Sequence, residues 1–489
     1  MKMTINYDVA IVGMQTAGLI AGALLSKRGL KVAIVDHGEI PPFYEQQGFL
    51  LPMSPQLIPA IQDTPYVQQI HDELKLTGAF ITDESPVGFQ AALAHIRLQI
   101  FYDRQKLFEE LSYEFSDIRD SIKYFFDRLE TLDSIISASM KDEAPILLPG
   151  FRKFWRNQAL NQHFRHLRLP FEHHELLKGI PPDHVFRHIL LGPLVFFNYL
   201  ETSEPTTLQA ARLIYRYFRG QLRLKSPCQS LAQLYADCAE GHGAALIADS
   251  VIKIDLQSKQ NTLSLGHHNA IQANLILCNT FSDFTQLLPE SRKRRTYAAQ
   301  ELAAHTQKSL FVSNFVVHKQ VIPRGMHSAL FLLNGRQSSR EPDTADAPLF
   351  VQQFNTKSPD RVILSVSCPV NTHAMTHSPD QLSHLRHTLF KQLQRLIPFL
   401  EQHIELISLP MDTMHWDKDP DHPARQVDPW NYHPIFTPKK IPFLGVCNRS
   451  IATPFKQIID CRRDVLPGLG LEGDYIVGHI TAKQLTFST

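Results

Sequence analysis

Four residues near the start of the chain are spaced for phosphate chemistry. Gly13, Gln15 and Gly18 follow one short apolar run, and Asp36 ends a second. In the dinucleotide fingerprint G-x-G-x-x-G, the first glycine makes the turn and the second lets a pyrophosphate approach the backbone. The third lets the helix pack close to the strand. Free N–H groups at the helix start then bind phosphate, and a later acid accepts hydrogen bonds from the adenosine ribose. Here the acid stands 18 residues past Gly18, and Gln15 takes the middle glycine's place. A side chain at that point crowds a pyrophosphate unless the loop shifts or Gln15 itself donates to it. The candidate contacts are Gly13, Gln15, Thr16, Ala17 and Gly18 at the turn, with Asp36 and His37 beyond the second run. The bland alternative is a βαβ unit that binds nothing.

The elements that must position these residues are legible. Residues 7–12, YDVAIV, read as a buried strand, and 16–28 as an Ala/Leu-rich helix ending near Gly29. Residues 31–35, KVAIV, read as a second buried strand. Strand, tight turn, helix, strand is a βαβ unit, and buried parallel strands are this apolar. The apolar run from Ala10 to Leu25 does not fit a signal peptide, because Asp8 precedes it and Lys27-Arg28 follow. At 16 residues it is also too short to span a bilayer, which needs about 20, and no later run exceeds it.

The string YDVAIVGMQTAGLIAGALLSKRGLKVAIVD is similar to the openings of flavin amine oxidases and phytoene (carotenoid) desaturases. That resemblance implies FAD as cofactor. Residues 220–254 resemble the family's returning segment, with a helix over 229–240 and strands near 244–247 and 251–256. By the same resemblance the backbone of Val251 touches the adenine, and ANLILCNT (273–280) is the next strand. Residues 465–485, VLPGLGLEGDYIVGHITAKQL, resemble the family's closing turn and helix. The resemblance implies that this helix points its first N–H groups, and its partial positive charge, at the flavin pyrimidine ring. Gly468, Gly470, Leu471 and Glu472 lie at that entrance. IPFLGVC (441–447) looks like the family's final strand, with Gly445 followed by Val446 where the family has an acid. Asp464 is a possible substitute for it.

The rest of the chain reads as the substrate side. Helices are expected over 104–140, 206–219 and 378–400, and strands over 308–317, 328–333, 349–354 and 361–368. The expected division is an FAD-binding domain from 1–80, 215–300 and 436–489, and a substrate domain from 81–214 and 301–435. Residues 184–200, HVFRHILLGPLVFFNYL, read as a core helix pair broken at Gly192-Pro193, or as an apolar wall reaching a membrane surface. Trp416, Trp430 and Tyr432 are candidates to flank a substrate, and 335–348 is the best candidate for an exposed loop.

Composition narrows the classes further. Lys+Arg is 49 and Asp+Glu 48, so the balanced charge leaves no footprint for nucleic acid. Six cysteines without C-x-x-C spacing fit reduced thiols in a cytoplasm, and the group His163, His166, His173 and His174 does not converge as a metal site. Half of the 22 glycines fall in residues 1–48 and 445–489, where a dinucleotide needs close backbone.

The resulting expectation is an α/β protein, a Rossmann-type FAD/NAD(P)-binding domain with an inserted antiparallel-sheet and helix domain. Its resemblance implies a flavin-dependent oxidoreductase moving hydride from a small apolar (isoprenoid- or lipid-like) or amine substrate to FAD, cytoplasmic or peripheral at a membrane. Gln15, the stretch HGEIPPFYEQQGFLLP after Asp36 where the resembled family has a Gly-Gly-Arg type loop, and Val446 motivate the alternative of a non-catalytic relative with lost or weakened FAD. An NAD(P)-dependent reductase is the third reading, in which Asp36 repels a 2′-phosphate.

Overall fold

The computed structural model describes residues 5–37, 41–76, 78–82, 85–93, 95–140, 176–203, 205–225, 229–257, 260–267, 269–280, 284–302, 308–333, 347–372, 379–410, 433–437 and 450–486. The βαβ unit forms as expected: strand Ile5–Val12, helix Thr16–Lys27, strand Val32–Val35. Five strands run parallel in the order Ala245–Ile247, Val32–Val35, Ile5–Val12, Ala270–Cys278, Ile458–Asp460. The antiparallel strands Asn261–Leu265 and Val251–Asp255 continue from the first half of Ala270–Cys278. The chain steps outward on one side of Ile5–Val12 and returns on the other, so the order reverses between Ile5–Val12 and Ala270–Cys278. Ligands of open α/β sheets bind at such a switch point, beyond the carboxyl ends of the strands.

Both faces of this sheet are covered, which is why its central strands lack polar alternation. Val9, Ile11, Val32 and Ile34 pack toward Leu19, Ile20, Ala23 and Leu24 of the first helix and toward Tyr235, Ala236, Tyr475 and Ile476. Ala10, Val12, Ala33 and Val35 pack on the other face with Val251, Ile254, Leu263, Phe284 and Tyr297.

The second sheet is almost wholly antiparallel. Its order is Ile404–Ser408, Lys308–His318, Arg361–Asn371, Leu349–Asn355, Ala329–Leu332, Val87–Ala92, Arg97–Phe101, with one parallel pairing, Ala329–Leu332 on Val87–Ala92. Helix Pro379–Leu396 closes one face. Leu385, Leu389, Leu393 and Leu396 recur at helical spacing and are buried against Phe311, Phe315, Val351, Leu364 and Val366. The fold is thus a Rossmann-type α/β sheet joined to an antiparallel sheet with helices.

Several expected elements change in detail. The helix over 104–140 is interrupted at Phe115, giving Arg104–Glu114 and Arg119–Met140. The helix over 206–219 carries a π-helical stretch at Ala210–Ile214. The pair broken at Gly192-Pro193 is present as Val185–Leu191 and Leu194–Asn198, and Phe186, Ile189, Leu190, Phe196 and Phe197 are core. Residues 441–447, Trp416, Trp430, Tyr432, His163, His166, His173 and His174 lie outside the described residues. Most of loop 335–348 does as well. The described strand in the final parallel position is Ile458–Asp460.

Candidate functional site

The glycine turn is held by a residue that motif spacing does not flag. Asn279 follows strand Ala270–Cys278 and is fully buried. Its Nδ2 donates to the carbonyls of Gly13 and Gln15 at 3.3 and 2.8 Å, and its Oδ1 accepts from the Gly18 N–H at 3.0 Å. This contact explains both glycines. Gly13 has φ +101°, and a Cβ there would lie 2.3 Å from the Asn279 carbonyl oxygen. A Cβ on Gly18 would lie 2.2 Å from the Asn279 side chain. Gly18 therefore makes room for Asn279 itself.

With the Gly18 N–H used internally, the N–H groups of Thr16 and Ala17 remain. No described acceptor takes either of them, so the helix N-terminus presents two free donors. Gln15 stands just before them. Its Oε1 accepts from the Arg463 N–H at 3.2 Å, and its Nε2 is buried without a hydrogen-bond partner.

These groups border a cavity of about 650 Å³. Met14, Gln15 and Thr16, Thr280 and Arg463 bring the carboxyl ends of three adjacent parallel strands to its wall. Leu471, in the first turn of the C-terminal helix Gly470–Thr486, completes that side. The second sheet supplies Gln352 to Asn355 and Ala329, and the remainder mixes apolar Phe43, Met53, Ile58, Phe197, Leu222 and Leu224 with polar Ser54, Gln56, Gln221, Gln229 and Ser230. No Asp or Glu among the described residues lines it; its formal charges are Arg223 and Arg463.

Arg463 is held from behind. Its Nε and Nη2 donate to Asp474 Oδ2 at 3.0 and 2.6 Å, and its guanidinium carbon lies 5.0 Å from the Tyr199 ring centre. Tyr199 adopts φ 52°, in the left-handed region that non-glycine residues rarely enter. His433 packs 5.6 Å from the Tyr199 ring. Burial, and then the Arg463 charge, push the His433 pKa down to about 3, so this imidazole is neutral at pH 7.

The expected site residues divide. Gly13, Gln15, Thr16, Ala17 and Gly18 form the turn, and Gln15, Thr16 and Leu471 line the cavity. Gly470 begins the last helix at φ +52°, where a Cβ would meet the Asn198 Oδ1 at 2.3 Å. Gly468 offers its carbonyl to Gln209 Nε2 at 3.3 Å. Two acids are corrected. Asp464 turns inward, 3.8 Å from the Arg462 Nε, and the neighbouring Arg463 meets the cavity in its place. Glu472 turns into a buried ion network. It accepts from Arg212 Nε at 2.8 Å and again from Nη2, and Asp133 bridges Arg212 to Arg216. A carboxylate at a helix start is attracted to the dipole, but a buried arginine offers it a stronger partner. Gly445 lies outside the described residues.

At the other end of the turn, Asp36 ends its strand with its N–H on the Ile247 carbonyl at 3.0 Å. His37 follows in a left-handed conformation, 2 % exposed, and its Nδ1 accepts the Val251 N–H at 3.1 Å. Burial lowers its pKa to about 4, which keeps Nδ1 free to accept. The backbone of Val251, expected to touch an adenine, thus has its N–H committed to His37.

The two orphaned N–H groups and the partnerless Gln15 amide fit a pyrophosphate at this turn; the Val251 N–H does not offer itself to an adenine in this arrangement. Asn279, Arg463, Tyr199 and His433 were missed. The first has a weak signal, a lone amide after an apolar strand end; the others have none.

No family model matches the chain. It is 25% identical over 154 residues to a chloroplastic prolycopene isomerase of Daucus carota, a stretch covering 30% of this chain and 25% of that protein. The match thus spans about a quarter of the curated relative's length. Among solved structures, a putrescine oxidase variant is similar at TM-score 0.58 and 14% identity, covering 99% of this chain and 100% of that one. An oxidoreductase from Methanosarcina mazei matches at TM-score 0.59 and 13% identity over 98% of this chain and 100% of that one. Cyclohexylamine oxidase from Brevibacterium oxydans matches at 0.58 and 14%, over 99% of both chains. At these identities the likeness shows a shared fold: the chain has the architecture of these amine oxidases and of the Methanosarcina mazei oxidoreductase.

Proposed function

We propose that the protein is an FAD-dependent oxidoreductase acting on an apolar, isoprenoid- or lipid-like substrate that carries no positive charge. The carrying observation is the cavity at the switch point: phosphate-type donors at one end, walls of apolar and uncharged polar side chains beyond, and no acid among its described lining residues. An ammonium group entering it would find no carboxylate among the described lining residues to offset its desolvation. That argues against a cationic amine, although amine oxidases share the fold.

Bound FAD supplies the hydride-accepting ring. The chain's residues hold and orient. The Thr16 and Ala17 N–H groups and Gln15 would hold the phosphates, and Leu471 in the first turn of the last helix lines the same cavity. His433 is neutral and buried, so it neither adds charge nor titrates near pH 7.

One observation favours a second reading, the same fold with weakened cofactor binding: His37 already occupies the Val251 N–H. The experiment is anaerobic reduction of the FAD-loaded protein by a panel of polyenes and of primary amines, followed at the flavin's blue absorption band. Bleaching by a polyene and not by amines is expected. Bleaching by amines alone overturns the substrate assignment, and no bleaching by any member favours the second reading.

A further inference from the structure

We propose that Gln15 and Arg463 form a side-chain clamp for the dinucleotide pyrophosphate, taking over where the fingerprint has a glycine and the family's last strand is followed by an acid. The inference rests on the flavin reading above and deepens it. The two residues stand 448 positions apart and meet at the cavity wall through Gln15 Oε1 and the Arg463 N–H. That bond fixes the amide: the oxygen must face the N–H, so Nε2 is the atom left over. It is buried and has no hydrogen-bond partner. A buried amide donor without an acceptor carries a desolvation cost that an incoming phosphate oxygen removes.

Arg463 adds the charge. Asp474, which does not line the cavity, grips its Nε and Nη2 from behind at 3.0 and 2.6 Å, and Tyr199 supports the guanidinium face. A guanidinium so held spends little entropy on binding and suits phosphate geometry. Thr16 follows Gln15 at the helix start and both line the cavity, so a backbone donor and a side-chain donor share one wall. An acid on this wall would repel a diphosphate; Arg463 reverses that sign. Gln15 ceases to be an obstacle, because it reaches the phosphate with its own donor where a glycine would have exposed backbone.

The test uses the full chain, FAD and fluorescence titration, with thermal unfolding of the ligand-free protein as a folding control. Gln15→Gly is expected to weaken FAD binding by about 10- to 100-fold, the range of one lost hydrogen bond to a charged group. Arg463→Ala leaves Asp474 buried and unpaired, so the paired variant Arg463→Met with Asp474→Asn removes both charges and should weaken FAD comparably. At saturating FAD the bound visible spectrum should match the wild type, because the ring's surroundings are untouched. Unchanged or tighter FAD binding by Gln15→Gly overturns the clamp, as does a loss accompanied by an altered spectrum, which marks a general structural role. A wild-type protein that binds no FAD overturns the flavin reading and the clamp together, whereas FAD binding that ignores both variants overturns the clamp alone.

Discussion

Replacing Asn279 by alanine should loosen the turn on which the whole site depends. The side chain makes three hydrogen bonds in a fully buried position, to the Gly13 and Gln15 carbonyls and from the Gly18 N–H. The two donated bonds contribute about 1 kcal/mol net each, and the Gly18 N–H left inside without a partner costs about 1–3 kcal/mol. The expected loss is therefore about 3–5 kcal/mol. For a chain of 489 residues the unfolding entropy is roughly 1 kcal/mol/K, so a cooperative transition should move down by about 3–5 °C. Calorimetry of the ligand-free protein reads this directly. Asn279→Asp is the sharper companion. It keeps an acceptor for Gly18, loses both donated bonds and sets a negative charge beside the two free N–H groups. It should cost FAD affinity at least as severely as Asn279→Ala. The reasoning is refuted if Asn279→Ala unfolds at the wild-type temperature, or if Asn279→Asp binds FAD as well as the wild type.

Other expectations follow from the buried charges and histidines. Glu472→Gln should destabilise by up to about 3–5 kcal/mol in chemical denaturation, because it leaves the buried Arg212 and Arg216 to share Asp133, while Arg212→Met with Glu472→Leu should recover much of the loss. His37, His71 and His433 all have pKa values lowered by burial, to about 4, 4 and 3. Their unfolded forms bind protons first, so stability is full above pH 6.5 and falls as pH drops toward 4, by about 1.4 kcal/mol per pH unit for each group. Unfolding temperatures across pH 4–7 check it, and His71→Phe should flatten the slope. If His37 competes for the adenine end, His37→Ala should tighten FAD binding in titration; a weaker complex would show that the imidazole supports the site.

The βαβ unit was legible because strands buried on both faces must be apolar throughout, and Val9–Val12 and Val32–Val35 are. The second sheet's strands showed through branched residues, and the Leu385–Leu396 stripe through its helical spacing. Ile458–Asp460, the described strand in the final parallel position, escaped notice because it is three residues long and ends in a buried acid, and IPFLGVC, with the apolar look of a strand, lies outside the described residues. Glu472 sat where a helix dipole welcomes an acid, and its actual partner lies 260 residues away on a π-helical stretch. Gln15 was visible as a departure, but its meaning required Arg463, and no spacing rule links positions 448 residues apart. Local pattern reveals elements; the pairing of polar side chains across the switch point is a property of the assembled fold.

The central claim is that this cavity holds a flavin dinucleotide. The most direct measurement is the visible spectrum of the purified full-length protein, before and after incubation with excess FAD and removal of the unbound ligand. The account predicts retained paired absorption bands in the near ultraviolet and blue. A protein that is colourless at the outset and stays colourless after FAD would contradict it.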